Sequence, residues 1–196
     1  MNKYIYPSFI LIIFFTIILG GVYPTSLVFI GKKLFKEKSE GSFIKDDRDD
    51  RNEYFIGSEL IGQNWTNPKY FFGRPSYIDY EPMNSGASQY SPVNPLLKTE
   101  VEKNKKKFFS YNGLESNIPQ ELLLSSGSGL DPHITLDSAL FQIPRIARER
   151  KLKEEQVHNL VMVQLEKKVF GILGQEKINV LKLNQALDIV FHKMDR

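Results

Sequence analysis

Residues 5–30 contain no charged side chain, and this run limits the fold more than any other feature. As a helix rising about 1.5 Å per residue it would extend ~39 Å, more than the ~30 Å of hydrocarbon in a bilayer. Sixteen of its residues are Leu, Ile, Phe or Val. At roughly −0.3 to −0.6 kcal/mol each near a helix centre, they favour insertion by about 5–10 kcal/mol. The run reads as a membrane span. A cleaved signal peptide is the competing reading, with Lys3 as its charged end and residues 9–19 as its apolar core. No Ala-x-Ala site follows, however; the first alanine is Ala87, and the apolar run continues past Tyr23-Pro24 to Ile30. Gly20, Gly21, Thr25 and Ser26 form a small-residue patch, with Gly21 and Thr25 four apart on one face. Such a patch lets another helix approach closely in lipid, and Pro24 is expected to kink the span beside it.

Lys32, Lys33, Lys36 and Lys38 follow the span, against Lys3 before it. The positive-inside rule taken alone puts the C-terminal part in the cytoplasm. The 196 residues allow one ordinary domain plus this appendage. A net charge of +3 without an aromatic-studded basic stripe gives no nucleic-acid signature. With no cysteine there are no disulfides, thiolate metal sites or cysteine nucleophiles. The expected division is an anchor at 1–31, a charged linker at 32–56 and a helix-rich α+β soluble domain at 57–196.

Along the soluble chain, the run DDRDDRNE at 46–53 has the wrong register for a calcium loop: position six from Asp47 is Asn52, not glycine. It reads as a solvated linker or hairpin tip. Residues 53–60 are predicted as a strand, and 77–94 as a long irregular loop rich in Gly, Pro, Ser, Asn and Tyr. Asn94-Pro95 is a cap followed by a first-turn proline, so a helix should start there, with Leu97, Val101 and Phe108 on one face. Residues 125–129 form a Ser/Gly turn. Thr135 then caps a helix whose inward stripe is Leu136, Ala139, Leu140, Ile143 and Ala147. Gln142, Arg145, Arg148 and Arg150 fall on its other faces, and Pro144 should kink it. A helix is predicted over 154–170, with Val157, Leu160, Val161 and Leu165 inward. A strand should follow over 177–183, and then a last helix capped by Asn184 and carrying Leu187, Val190 and Phe191.

Chemical motifs are missing. There is no phosphate-binding glycine loop, and no Asp-Lys-Thr-Gly-Thr sequence for self-phosphorylation on aspartate. His133, His158 and His192 are scattered without metal-ligand spacing. Ser128, Asp131 and His133 lie too close in sequence to converge easily as a nucleophilic set, and G-x-S-x-G is absent. Catalysis and a metal site are therefore not expected of this chain.

Several stretches together carry a resemblance. They are Gly21-Val22-Tyr23-Pro24, Gly57-Ser58-Glu59-Leu60-Ile61-Gly62-Gln63 and Tyr70-Phe71-Phe72-Gly73-Arg74-Pro75-Ser76. Further along come Ser85-Gly86-Ala87-Ser88, Ser126-Gly127-Ser128-Gly129-Leu130-Asp131-Pro132-His133-Ile134, Gln142 with Arg145-Ile146-Ala147, and Leu183-Asn184-Gln185-Ala186-Leu187-Asp188. Nearly end to end, the chain resembles the KdpC family, the C subunit of the bacterial potassium-transporting Kdp ATPase. The resemblance implies a non-catalytic subunit of a high-affinity potassium-uptake pump. Its partners would be a channel-like subunit that conducts the ion and a P-type subunit that hydrolyses ATP. For the family, the C subunit is described as raising the ATP affinity of the hydrolytic subunit, so ATP is expected through the complex rather than held firmly here. The family's Ser-Gly-Gly-Ser segment appears as Ser85-Gly86-Ala87-Ser88, and Ala87 lacks the backbone freedom of glycine. Ser85, Gly86, Ser88, Ser128, Asp131, Gln142 and Arg145 are the candidates for nucleotide or partner contact, and Arg74 for partner contact. Gly21, Pro24 and Thr25 are the candidates for membrane-helix packing. The family also implies a single-pass protein of the bacterial cell membrane with its domain on the outer face, against the lysine count.

Overall fold

A computed structural model describes residues 2–45, 55–112 and 117–194. The chain divides into two compact units, one of Met1–Lys45 with Tyr54–Ser58 and a second that contains Glu59–Arg196.

In the first unit, α1 (Asn2–Ile17) runs through a five-residue π-helical stretch, Ile18–Val22, into α2 (Tyr23–Leu34). From Lys3 to Leu34 this stretch is apolar and long enough to cross a membrane, and none of it is buried within the protein. The π segment contains Gly20 and Gly21 and ends just before Pro24, which cannot donate a backbone hydrogen bond. Pro24 is thus accommodated at the first turn of α2. A short α3 (Lys36–Ser39) leads to β1 (Phe43–Lys45), which pairs antiparallel with β2 (Phe55–Ser58). The charged run at 46–53 lies outside the described residues.

The second unit opens with extended, irregular chain. The loop over 77–94 is irregular as expected, apart from one 3-10 turn at Pro82–Asn84. Next comes α4 (Pro95–Asn112), whose first free amide, on Leu96, donates to the Asn94 side chain at 2.9 Å. Then follow β3 (His133–Ile134), α5 (Leu136–Arg150), α6 (Glu154–Val163), β4 (Leu165–Glu166), β5 (Lys177–Asn179) and α7 (Val180–Met194). The three short strands form an antiparallel sheet in the order β3-β5-β4. Phe71, Phe72, Phe108, Ile134, Ile146, Val161, Ile178 and Leu183 are among the residues of one core. The fold is helix-rich α+β.

Three local expectations are corrected. The helix predicted to reach residue 170 stops at Val163, because Leu165 and Glu166 leave it to pair with Ile178 and Lys177. Leu165 still packs on the core, but from a strand. The strand predicted over 177–183 ends at Asn179, whose side chain accepts from the amides of Leu181 and Lys182 and so starts α7. Asn184, expected as that cap, is a fully buried residue inside the helix. The third concerns α5. Ala139, Ile143 and Ala147 are buried as predicted, but so are Gln142, Arg145 and Arg150, which were expected on other faces. Arg148 is exposed. Thr135 caps α5, accepting from the Ser138 amide, and the helix continues past Pro144, which faces solvent.

Candidate functional site

The strap at residues 68–72 leaves a turn closed by Tyr70 N donating to Asn67 O at 3.1 Å. At Phe71 and Phe72 it enters the core without a neighbouring strand, so those buried amides and carbonyls need partners from side chains. Two carboxamides supply them in the manner of a strand edge. The Asn184 carbonyl accepts from Phe71 N at 2.8 Å while its amide donates to Phe71 O at 3.0 Å. Gln142 repeats the pattern one residue on, accepting from Phe72 N at 2.8 Å and donating to Phe72 O at 3.1 Å. Arg145 donates to Pro68 O, to Tyr70 O at 2.9 Å and to the Gln142 carbonyl at 2.6 Å. Its guanidinium lies 4.1 Å from the centroid of the Phe72 ring, where an aromatic face stabilises a cation. Burial lowers the Arg145 pKa to about 10. Lys107 also sits over Phe72, at 5.2 Å; burial first, then the Lys103 and Arg145 charges, depress its pKa.

Farther along α5, Arg150 extends the same network. It donates to Lys69 O at 2.8 Å and pairs with Asp188 of α7 at 2.7 Å, with Tyr70 Oη donating to the other Asp188 oxygen at 3.0 Å. Gln142 and Arg145 are thus fastened inside the domain, with 0% and 1% of their surface exposed. Sequence periodicity placed them elsewhere because their partners are backbone groups some 70 residues away, which no local pattern encodes. Asn184, Arg150 and Asp188 belong to the same network but were not among the candidate site residues; Asn184 and Asp188 fall in a stretch that carries the resemblance.

The two Ser/Gly stretches meet. Ser85 Oγ and Gly86 N both donate to the Ser128 carbonyl, at 3.1 and 2.9 Å. Ser128 Oγ accepts from Leu130 N at 3.1 Å, and Ser88 Oγ accepts from Tyr90 N at 3.5 Å. Gly129 has φ +69°, and a Cβ there would lie 2.6 Å from Ile78 Cγ1 and 2.8 Å from Gly86 O. Only glycine allows this crossing. Ser85 Oγ and Gly86 N, two donors that a phosphate could use, are engaged by protein.

Beside this junction, Arg74 pairs with Asp131 at 3.2 Å. Asp131 also accepts from His133 N at 3.0 Å, with His133 Nδ1 3.4 Å away. Burial alone would raise the Asp131 pKa, but the His133 hydrogen bonds and the Arg74 charge outweigh it and hold it below the ordinary value. Tyr80 donates to Arg74 O at 2.6 Å, and burial, then the Asp79 charge, push its pKa up to about 12. Arg74, Asp131 and His133 border an open groove of about 650 Å³. Ser128 Oγ is turned to its own loop, so Ser128, Asp131 and His133 form no relay. Among the described residues no cluster of three or more His, Asp or Glu is placed to hold a metal. In the span, Thr25 Oγ1 donates to Gly21 O at 2.7 Å, and apart from Gly21's neighbours and its own helix backbone, nothing among the described residues lies within 4 Å of a Cβ built on Gly21.

A helix long enough to cross a membrane, together with a small helix-rich α+β unit in which Gln142, Arg145 and Asn184 bond to the domain's own backbone, defines a class: α+β proteins with an N-terminal helix of membrane-spanning length. Residues 5–189 match the family described as KdpC, K+-transporting ATPase, c chain, and the protein belongs to that family. It is 43% identical over 186 residues to the potassium-transporting ATPase KdpC subunit of Geobacter metallireducens, covering 93% of this chain and 95% of the relative. The subunit of the same name from Caldanaerobacter subterraneus is 43% identical over 183 residues, covering 91% and 92%. That from Cronobacter sakazakii is 41% identical over 186 residues, covering 93% and 95%.

Proposed function

We propose that this chain is a non-catalytic accessory subunit of an ATP-driven potassium-uptake complex in the bacterial cell membrane. Membership of the KdpC family supports a place in a potassium-transporting ATPase. Its partners are a channel-like potassium-translocating subunit and a P-type subunit that hydrolyses ATP. The chain stabilises their assembly and raises the ATP affinity of the hydrolytic subunit, and its folded domain lies on the outer face. The observation that carries this reading is that Gln142 and Arg145 are buried against the domain's own backbone, while the more exposed Ser85, Gly86 and Ser128 bond to one another or to their own loop. A domain so arranged acts by its shape and its surfaces, and its effect on nucleotide affinity is indirect.

The test is ATP hydrolysis by the reconstituted complex with and without this chain, across ATP concentrations, with size-exclusion chromatography to follow assembly. Omitting the chain should raise KM for ATP severalfold and change kcat little, and the chain alone should hydrolyse nothing. Unaltered kinetics without it, or hydrolysis by the chain itself, would reject the proposal. Saturable binding of ATP to the chain alone would instead favour a self-contained nucleotide-binding module.

A further inference from the structure

Between β4 and β5 the chain folds back at Val169-Phe170-Gly171-Ile172-Leu173. Val169 N donates to Leu173 O at 2.9 Å, and Leu173 N returns to Val169 O at 3.0 Å. Phe170 and Gly171 take positive φ, +53° and +74°, a backbone that a bulky residue such as Phe adopts only at a cost. The turn holds four large apolar side chains in solvent: Val169, Phe170, Ile172 and Leu173 are 59%, 90%, 82% and 62% exposed. Val163, at the end of α6, is exposed as well. Water-soluble surfaces seldom keep such a cluster uncovered.

The charges around the turn indicate what covers it. Lys167 and Lys168 precede it and Glu176 follows, while Glu166 and Lys177 pair with each other at 3.6 Å. Two lysines against one glutamate remain at the neck of an apolar tip. This order, apolar apex then cationic collar, matches a bilayer interface: apolar groups enter the acyl boundary and lysines remain among anionic headgroups. The same chain carries a helix of membrane-spanning length, so the turn belongs to a molecule with a second segment suited to lipid. We propose that the 169–173 turn is a second membrane contact, inserting its apolar apex into an anionic lipid surface.

The chain has no cysteine, so one introduced thiol takes a spin label at a single place. The full chain bearing Ile172→Cys is reconstituted alone in phosphatidylglycerol-containing vesicles, with paramagnetic quenchers on both sides. Glu155→Cys, on the exposed start of α6, is the control. The ratio of oxygen to nickel-chelate accessibility should be severalfold higher at 172 than at 155. It should fall toward the control value in pure phosphatidylcholine and when Lys167→Glu and Lys168→Glu are combined. Equal nickel accessibility at both positions in anionic vesicles would overturn the proposal. So would shielding at 172 that appears only in the assembled complex, which would assign the tip to a protein partner. Spin–spin broadening that follows the protein-to-lipid ratio would assign it to a second copy of the chain, and would equally overturn it.

Discussion

The membrane-length helix and the 68–72 strap represent two opposite ways of satisfying a backbone. Along the helix the backbone bonds close within about a turn, and Ser8, Thr16 and Thr25 return their hydroxyls to carbonyls three or four residues back. In the strap, Lys69 and Tyr70 bond to nearby Asn67, but Phe71 and Phe72 have no such neighbours and take their bonds from Asn184, 113 residues away, and Gln142, 70 residues away. One region is complete in itself, whereas the other exists only when α5 and α7 are in place. Local substitutions should therefore leave the first unchanged and damage the second.

The largest effect is expected from Arg145→Met. It keeps much of the side-chain volume but leaves the Pro68 and Tyr70 carbonyls without their buried donor, at a cost of about 2–5 kcal/mol. Urea unfolding of the detergent-solubilised chain would measure it, and a loss below about 0.5 kcal/mol would deny the strap its dependence on α5. Gly129→Ala should cost about 2 kcal/mol, since a Cβ at φ +69° collides with Ile78 and Gly86. Its signature in hydrogen exchange should be faster exchange at the Gly86 amide with little change in the strap. A smaller effect is expected from acid. Because Asp131 has a lowered pKa in the folded state, its contribution is complete above about pH 4 and is lost as pH falls through the folded value. Stability measured from pH 6 downward should decline less steeply in Asp131→Asn. Least of all, Thr25→Ala removes only bonds within its own helix, and the melting of the domain should stay within about 0.5 kcal/mol.

The same contrast explains which elements could be read from the sequence. The span needed only a tally of apolar residues, and α4 only its Asn94-Pro95 start, because the information is local. The Thr135 cap and the buried Ala139, Ile143 and Ala147 were legible for that reason too. Gln142, Arg145 and Arg150 were misplaced because polarity normally marks an outer face, and here it marks the face that holds the strap. Asn184 was mistaken for a cap because asparagine favours caps, while Asn179 performs that task five residues earlier. The two short sheet pairings that end α6 and begin α7 depend on β5 meeting β3 and β4, and periodicity in one segment says nothing of its partner. Of the candidate residues, Ser85, Gly86 and Ser128 do come together, through a loop crossing that nothing local in the sequence announces.

Amide hydrogen exchange at Phe71 and Phe72 tests most directly the claim that distant side chains hold this domain together. Both amides should exchange as slowly as those in the buried middle of α5, and Gln142→Ala should speed Phe72 far more than Phe71. Exchange at either position as fast as in the irregular 77–94 loop, or no response of Phe72 to the Gln142 substitution, would contradict it.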